Sequence, residues 1–513
     1  MKAHLRVLSR FKFLLPYLLG ALAVLGFAPF YIFPSTILSL VGICYLWLQT
    51  SSAKASFWLG FQYGLGLFVT GIYWIYISLH DFGGMPWWFA GFCTFCLCAF
   101  MALFTGLVGW FSKKLNPSFS YAPLLSVPVL WGLSDWIRSW IFTGFPWLTI
   151  GYSQVPYSPL AGYIPVIGVY GVSVITVFLS ALIAYWFTKP SLVFKRYSIA
   201  AVVFIIVVGN VLKIAQWTTP IGKPISVALL QGNTAQDIKW SPETALGTIK
   251  QYIEMVQSSK AQLTVLPETA LPVIVSQLDQ DVKDALTKHA KENNGDLIVG
   301  MVEYRESANE AASETTNEIG GEYFNSALTY GNSPTQSYKK NHLVPFGEFI
   351  PLKQAFGWIY RDWLNIPLSD LSRGGTHQAP MRLANQKVAV NICYEDVFGE
   401  EIIRQLPEAT LLVNISNDAW YGQSIAAYQH MQFSQARALE TGRMVLRATN
   451  TGATAIIDPQ GYVLAHAPHD TKNTLIGQAQ GYQGSTPYVR WGNWPFIVFC
   501  FGAIAFVLKR KTK

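Results

Sequence analysis

The most informative stretch for both fold and chemistry is Val390-Asn391-Ile392-Cys393-Tyr394-Glu395-Asp396. A predicted apolar strand ends there at a thiol, and two carboxylates follow one residue later. The chain has six cysteines, and the other five lie in long apolar runs. Cys393 therefore has no second cysteine in the polar part of the sequence for a disulfide or a metal site. A lone thiol at the end of a strand is a candidate nucleophile. A buried cysteine that packs as a small hydrophobic residue is the alternative.

The composition divides the 513 residues into three parts. Hydrophobic residues make up 51% and charged residues only 13%, against about 25% charged residues in an ordinary soluble protein. Of the 29 acidic residues, only Asp81 and Asp135 precede residue 218, and none follows residue 487. We therefore expect an N-terminal membrane region over 1–217, a polar domain over 218–487, and a C-terminal apolar segment with a basic tail over 488–513.

About eight apolar stretches are long enough to cross a bilayer as helices, which takes about 20 residues each. They lie near 13–31, 34–50, 56–79, 87–112, 121–138, 163–188, 197–215 and 492–508. Basic residues precede the first stretch, fall in every second connection and end the chain, as the positive-inside rule predicts for cytoplasmic segments. This pattern places both termini in the cytoplasm and residues 218–487 outside it. The net charge of +8 follows from this topology, so nucleic-acid binding is not needed to explain it.

The polar middle region alternates strand-like and helix-like stretches. The pattern predicts strands near 224–231, 263–266, 296–304, 323–330, 388–392 and 411–415, and helices near 243–259, 277–293, 400–405 and 425–442. The segment 444–480 is rich in strand formers, whereas 306–322 is polar and predicts a surface loop. This alternation favours an α/β layered domain with helices outside the sheets. Glu268, Cys393 and the segment 414–420 follow strands, where catalytic residues of such folds commonly lie.

A cysteine nucleophile needs a group that takes its proton and donors that stabilise the oxyanion of a tetrahedral intermediate. Histidine is the common base, but the sequence places none in a convincing constellation among His342, His377, His430, His466 and His469. A carboxylate is the other choice, and Glu268 follows a predicted strand in Pro267-Glu268-Thr269. Lys340 lies in the stretch 338–349, in which Gly and Pro punctuate an apolar run. Singly, each of these residues also fits a capping or structural role.

Together these motifs are far more specific. The order Pro-Glu-Thr, then Lys340-Asn341-His342-Leu343-Val344-Pro345-Phe346-Gly347-Glu348, then Cys393-Tyr394-Glu395-Asp396 resembles the nitrilase superfamily, whose Glu-Lys-Cys triad cleaves or forms amides. With its membrane spans, the chain is similar over essentially its whole length to one branch of that superfamily, the apolipoprotein N-acyltransferases. The resemblance implies an α-β-β-α sandwich for the middle region. The sequence departs from the family's usual pattern mainly in the loop 306–322, away from the motifs.

The resemblance also implies roles for individual residues. Cys393 would be the nucleophile and Glu268 the general base. Lys340 would steady the oxyanion, helped by the backbone N–H of Tyr394. Glu348 and Glu395 match further carboxylates of the motifs and would orient the lysine or the amine. Other residues expected near the pocket are the aromatic Trp240 and Tyr394, for which a place in the core is the alternative, and Asn414, Asn417 and Trp420.

The activity implied by the resemblance is an acyl transfer in two steps. Cys393 would attack a phospholipid ester to form a thioester, and the N-terminal amine of a diacylated apolipoprotein would then take the acyl chain. The resemblance implies phosphatidylethanolamine as donor, no cofactor and no metal. We expect a monomer in the bacterial inner membrane with a periplasmic catalytic domain.

Two other functions fit parts of the sequence. A membrane-anchored amidase would use the same residues, since water and an amine attack the same thioester. A transporter with an appended soluble domain would carry ionisable residues within its spans. Asp135 and Arg138 are the only such pair in the weak fifth stretch, which is too few for a relay.

Overall fold

The computed structural model describes residues 14–115, 122–188, 190–235, 241–306, 321–351 and 370–511. The chain divides into two compact units. The helical unit comprises Met1–Tyr76, Trp87–Trp217 and Thr486–Lys513, and the sheet unit comprises Ile77–Pro86 and Thr218–Ser485.

The helical unit has a helix in each of the eight stretches predicted to span the membrane. These helices are Leu14–Gly26, Phe33–Leu48, Ala53–Gly71, Trp87–Leu115, Pro123–Arg138, Ile164–Trp186, Leu192–Ile214 and Trp494–Lys511. Among the described residues, three helices are long and apolar enough to cross a membrane: Trp87–Leu115, Pro159–Trp186 and Leu192–Ile214. A fourth is added if Ala53–Gly71 and Ile75–Phe82, bent by 57°, form one span. The number of eight spans stays a prediction.

Asp135 and Arg138 form a buried ion pair inside the helical unit. Arg138 Nη2 lies 2.8 Å from Asp135 Oδ1, and both side chains are almost wholly buried. Ser173 Oγ donates to Asp135 Oδ2 at 2.8 Å, and Arg138 Nη1 donates to the carbonyl of Trp147 at 3.1 Å. The pair thus links its own helix to Ser173 and to Trp147. This structural role explains the buried charges without a transport pathway.

The sheet unit contains two six-stranded sheets. In chain order the strands are β1 Thr218–Gln231, β2 Leu263–Val265, β3 Asp296–Glu306, β4 Gly321–Gly331, β5 Ser337–Lys339, β6 Met381–Leu383, β7 Gln386–Ile392, β8 Leu411–Ser416, β9 Val445–Thr449, β10 Ala455–Ile457, β11 Val463–His466 and β12 Asn473–Gly484. The first sheet has the order β12-β1-β2-β3-β4-β5 and the second β11-β10-β9-β8-β7-β6. β1, β2 and β3 are parallel, as are β7, β8 and β9. Residues 307–320 of the predicted surface loop lie outside the described part of the chain.

The two sheets face each other across one apolar core, and helices cover their outer faces. Along β1, Val227 and Leu229 point into the core shared with the second sheet, whereas Ala228 and Leu230 pack against helices, as the two-residue period of a strand requires. In the described part of the unit, the α-helices that follow β1 are Pro242–Ser258, Gln280–Glu292, Gly399–Ile402 and Ala426–Thr441. The predicted alternation of strands and helices is confirmed, and its result is an α-β-β-α sandwich.

The parallel strands bring the predicted site residues together. Glu268 follows the carboxyl end of β2, and Cys393 and Asn417 follow those of β7 and β8. Lys340 comes directly after the edge strand β5. Since facing sheets place the ends of their parallel strands side by side, residues distant in sequence meet at one edge of the sandwich.

Candidate active site

Cys393 lies at a sharp change of backbone direction. It directly follows Ile392, the last residue of β7, and is the first residue of the 3-10 helix Cys393–Val397. Its φ is +53°, in the left-handed region that residues with a side chain rarely adopt, and only 8% of its surface is exposed. A residue held in this region costs about 1–3 kcal/mol, which the surrounding contacts must offset. Such strain at a strand-to-helix turn is a known way to present a nucleophile.

Glu268 is a buried carboxylate with a donor on each oxygen. The backbone N–H of Asn417 donates to its Oε2 at 2.9 Å, and Asn325 Nδ2 donates to its Oε1 at 2.7 Å. Lys340 Nζ lies 3.5 Å from Oε1. These contacts fix the orientation of the carboxylate.

Lys340 is 1% exposed and lies between two carboxylates. Its Nζ is 2.9 Å from Glu348 and 3.5 Å from Glu268. Burial on its own lowers the pKa of the ammonium group, but Glu348 and Glu268 outweigh it and raise the pKa well above its ordinary value. Lys340 is therefore a permanent cation at this position. The neighbouring Lys339 instead pairs with Glu303 at 3.2 Å.

Glu348 contacts the lysine, one of the two groups that it was expected to orient. Its Oε1 accepts from Asn325 Nδ2 at 3.0 Å, so one asparagine holds both Glu268 and Glu348. Its Oε2 accepts the backbone N–H of Val344 at 2.8 Å. The carboxylate of Glu348 is thus fixed by its own loop before it contacts Lys340.

Glu395 ties the Lys340 loop to the strand that carries the thiol. Its Oε1 accepts the backbone N–H groups of Asn341 at 2.7 Å and His342 at 3.1 Å. Its Oε2 accepts the N–H of Ile392 at 2.7 Å and the hydroxyl of Tyr338 at 2.9 Å. Burial raises the pKa of Glu395 to about 6, although the backbone donors oppose that shift. Glu395 therefore links the Lys340 loop to the end of β7.

The Cys393 thiol is protonated in the resting site. Burial, followed by the negative charge of Glu268, raises the pKa of the thiol well above its ordinary value, and Lys340 and Ser416 oppose this only in part. A thiol in this state needs a base at the moment of attack. Glu268 is close enough to act on the thiol electrostatically, and its carboxylate is held in place by hydrogen bonds. The arrangement is suited to acyl chemistry in which Glu268 removes the thiol proton.

The raised pKa predicts slow alkylation of Cys393. We expect the rate at which iodoacetamide modifies Cys393 to rise about tenfold per pH unit from pH 7 to pH 9 without a plateau, because the thiolate fraction grows by that factor below the pKa. Glu268→Gln removes one cause of the shift, so it should speed alkylation several-fold while it slows turnover. Peptide mass spectrometry of the full-length chain separates Cys393 from the other cysteines. A plateau below pH 8, or slower alkylation of Glu268→Gln, would contradict this assignment.

The remaining predicted residues lie at different distances from the thiol. Asn414 Nδ2 donates to the carbonyl of Cys393 at 3.3 Å, so Asn414 supports the nucleophile from the interior. The Tyr394 ring packs edge-on against Phe398 with the ring centres 5.1 Å apart. Its side chain therefore lies in the core of the loop, while its N–H belongs to the peptide that follows Cys393.

Trp420 contacts the segment Ile77–Pro86 of the sheet unit. Its carbonyl accepts from Ser78 Oγ at 2.7 Å, and its ring lies 6.2 Å from the ring of Phe82. No contact of its side chain with Cys393 is found among the described residues. Trp240, the other predicted tryptophan, lies outside the described part of the chain.

A buried charged cluster behind the thiol was missed by the sequence reasoning. It consists of Asp396, Asp418, His430 and Arg447, all 2% exposed or less. Asp418 lies in the segment that was expected to line the site, but its partners lie on other elements. The sequence carries no signal for it, because the burial of the polar side chains in the helix Ala426–Thr441 is visible only in the structure. Among the described residues, no group of three or more His, Cys, Asp or Glu side chains could hold a metal ion.

Comparisons with known proteins cover both units. Residues 19–182 match the model of the apolipoprotein N-acyltransferase N-terminal domain, and residues 226–488 match that of the carbon-nitrogen hydrolases. The chain is 48% identical over 483 residues to an apolipoprotein N-acyltransferase of Nitrosomonas europaea, with 94% of each chain covered. It is 42% identical to one of Chromobacterium violaceum, with 94% of this chain and 90% of the relative covered. A carbon-nitrogen hydrolase structure from Helicobacter pylori is 16% identical, covering 54% of this chain and 95% of that one, with a TM-score of 0.36.

Proposed function

This chain belongs to the family of apolipoprotein N-acyltransferases, and from that premise we propose that Cys393 carries the fatty acyl group in transit. The enzyme transfers an acyl chain from a phospholipid to the N-terminal amine of the diacylglyceryl-cysteine of an apolipoprotein. The observation that carries the assignment of residues is the burial of Lys340 between Glu268 and Glu348, at the edge of the sandwich where Cys393 lies.

In the first step the thiol of Cys393 attacks the ester carbonyl of the phospholipid. Glu268 accepts the thiol proton as the carbon–sulfur bond forms. Lys340 and the N–H of Tyr394 stabilise the negative charge that develops on the carbonyl oxygen. When the tetrahedral intermediate collapses, the ester carbon–oxygen bond breaks, and Glu268 returns the proton to the departing lysophospholipid oxygen. The product is a thioester on Cys393.

In the second step the amine of the lipoprotein attacks the thioester. Glu268 accepts a proton from the attacking nitrogen, and the same donors stabilise the second oxyanion. The carbon–sulfur bond then breaks, an amide is formed, and the proton returns to the sulfur of Cys393. Since the two steps share one set of groups, a single carboxylate serves both acylation and deacylation.

The membrane arrangement is the finer part of the proposal. Residues 1–217 form a membrane domain of about seven spans, residues 218–487 the catalytic domain, and residues 488–513 a last span with a basic tail. The alternation of Lys and Arg supports cytoplasmic termini and a periplasmic catalytic domain in the bacterial inner membrane. A helix in each of the eight predicted stretches supports the number of spans. We further propose a monomer that uses phosphatidylethanolamine as donor.

Transfer to an amine distinguishes the proposed activity from hydrolysis. In vesicles that contain the full-length protein, labelled phospholipid and a diacylated lipopeptide, we expect one triacylated lipopeptide and one lysophospholipid per turnover, measured by mass spectrometry. A lipopeptide with an acetylated N-terminus is the control, because it has no free amine and should leave the acyl-enzyme to accumulate. Release of free fatty acid in place of the triacylated product would assign the chain to the amidase-like hydrolases instead.

A further inference from the structure

The carbonyl oxygen of Cys393 is held by two buried side chains. His430 Nε2 lies 3.1 Å from it and Asn414 Nδ2 lies 3.3 Å from it. His430 and Asn414 are both fully buried. These two contacts offset part of the cost of the left-handed backbone at Cys393, since they fix the peptide that the strained φ would otherwise leave free to relax.

His430 is in turn fixed by a charged pair on two other elements. Its Nδ1 lies 2.9 Å from Asp418 Oδ1. Arg447 Nη2 donates to both carboxylate oxygens of Asp418, at 3.2 and 3.1 Å, and Arg447 Nη1 donates to Asn414 Oδ1 at 2.6 Å. Arg447 therefore holds both groups that donate to the Cys393 carbonyl. It contacts Asn414 directly and His430 through Asp418.

The two partners of the His430 ring are both acceptors, which favours a proton on each ring nitrogen. One nitrogen faces a carbonyl oxygen and the other a carboxylate oxygen, and neither acceptor can donate. Burial alone would raise the pKa of Asp418, but Arg447 and His430 outweigh it and hold the pKa well below its usual range, so Asp418 is ionised. Asp418 faces the His430 ring directly, and Arg447 pairs with Asp418 and also with Asp396. The aromatic rings beside it are Tyr421 and Phe433.

The position of this contact matters because the carbonyl of Cys393 and the N–H of Tyr394 belong to one planar peptide group. In a trans peptide they point in opposite directions, so a group that fixes the carbonyl also fixes the direction of the N–H. A cation on the carbonyl oxygen polarises the peptide and makes its N–H a stronger donor. The proposed chemistry assigns that N–H to the oxyanion.

We propose that His430 is a positioning residue, which as an imidazolium fixes the Cys393–Tyr394 peptide and so aims the Tyr394 N–H at the oxyanion. This rests on the proposed thioester chemistry. His430 acts through the backbone, because its hydrogen bond to Cys393 is made to the carbonyl oxygen. Its removal should slow the formation of the acyl-enzyme at saturating phospholipid and leave the KM for phospholipid nearly unchanged.

Two neutral amides test this, because each restores one of the two hydrogen bonds of His430. In His430→Gln the terminal nitrogen takes the place of Nε2 and reaches the Cys393 carbonyl, whereas in His430→Asn it takes the place of Nδ1 and reaches only Asp418. With full-length protein in vesicles, we measure the rate of thioester formation from labelled phospholipid, together with the thermal unfolding midpoint. We expect acylation to fall about 100-fold in His430→Asn but less than about tenfold in His430→Gln, with similar losses of thermal stability.

Equal acylation rates in the two folded variants would overturn the proposal. If neither variant folds, Asn414→Asp provides the test. This change keeps the oxygen that accepts from Arg447. It replaces the nitrogen that donates to the Cys393 carbonyl with an oxygen, which cannot donate. Acylation at the wild-type rate in Asn414→Asp would then overturn the role of the carbonyl contact, and a fall of about 100-fold would support it. Absence of a thioester on the wild-type protein would instead refute the proposed function, so the two failures are distinct.

Discussion

Cys393→Ala is expected to abolish the covalent acyl-enzyme and to lower acyl transfer by about 10⁴-fold or more, because no other group at the site can hold the acyl chain between the two steps. Alanine removes only the sulfur from a position that is 8% exposed, so the fold should be kept. The measurement uses full-length protein in vesicles with phospholipid labelled in its acyl chains. After quenching, label that hydroxylamine releases from the protein reports the thioester.

The matched control is Cys96→Ala. Cys96 is an exposed thiol in the helix Trp87–Leu115, and its loss should leave both the label and the transfer rate near those of the wild type. Label on Cys393→Ala at the wild-type level would show that the acyl group travels by another route. The thioester mechanism would then be wrong even if transfer itself were observed.

Lys340→Met is expected to lower both acylation and stability by large amounts. Methionine keeps most of the length of the side chain but leaves Glu268 and Glu348 facing each other with no cation between them. Removal of one partner from a buried ion pair costs about 3–5 kcal/mol in the free energy of unfolding. Loss of an oxyanion donor lowers the rate by about 10²–10³-fold. Rates of acyl-enzyme formation and chemical denaturation of the full-length chain measure the two effects separately.

Lys339→Met provides the comparison, since it is the same change one residue earlier. Lys339 pairs with Glu303 at a partly exposed site, and such pairs contribute about 0–1 kcal/mol. We expect acylation at nearly the wild-type rate. If Lys339→Met were the more damaging of the two, the assignment of the oxyanion cation to Lys340 would be incorrect.

Much of the sheet unit could be predicted from the sequence because its central strands are buried on both faces. Every residue of β8 is buried, and the strand is therefore an apolar run. Its two polar residues, Asn414 and Ser416, lie toward the carboxyl end, next to the candidate active site. β5 and β6 escaped prediction because each has three residues that are not all buried, whereas the equally short β2 is wholly buried and is visible as an apolar run. β5 matters most, since it delivers Lys340 to the site.

The triad could be proposed from the sequence because each of its members stands in a distinctive motif, whereas the residues that contact it could not be. Asn325 bridges Glu268 and Glu348 from the middle of β4, where the sequence shows only a strand. His430 lies in a helix that is buried on nearly all sides and therefore has no apolar stripe. Its partners lie on other helices and strands, so residue spacing along the chain does not predict the cluster. Only three-dimensional packing reveals which buried polar groups meet.

The pairing of β1 with β12 has a consequence for how the enzyme folds during its synthesis. Thr218 lies opposite Gly484 and Gln231 opposite Asn473, so the first strand of the sheet unit is completed by the last one. During synthesis β1 therefore lacks its pairing partner β12 until nearly all of the sheet unit has been made. Contacts between segments so far apart in the chain form slowly. The cell thus obtains a lipid-modifying activity only after the final strand has arrived, and a chain cut short before residue 473 is expected to remain inert and to become a substrate for proteolysis.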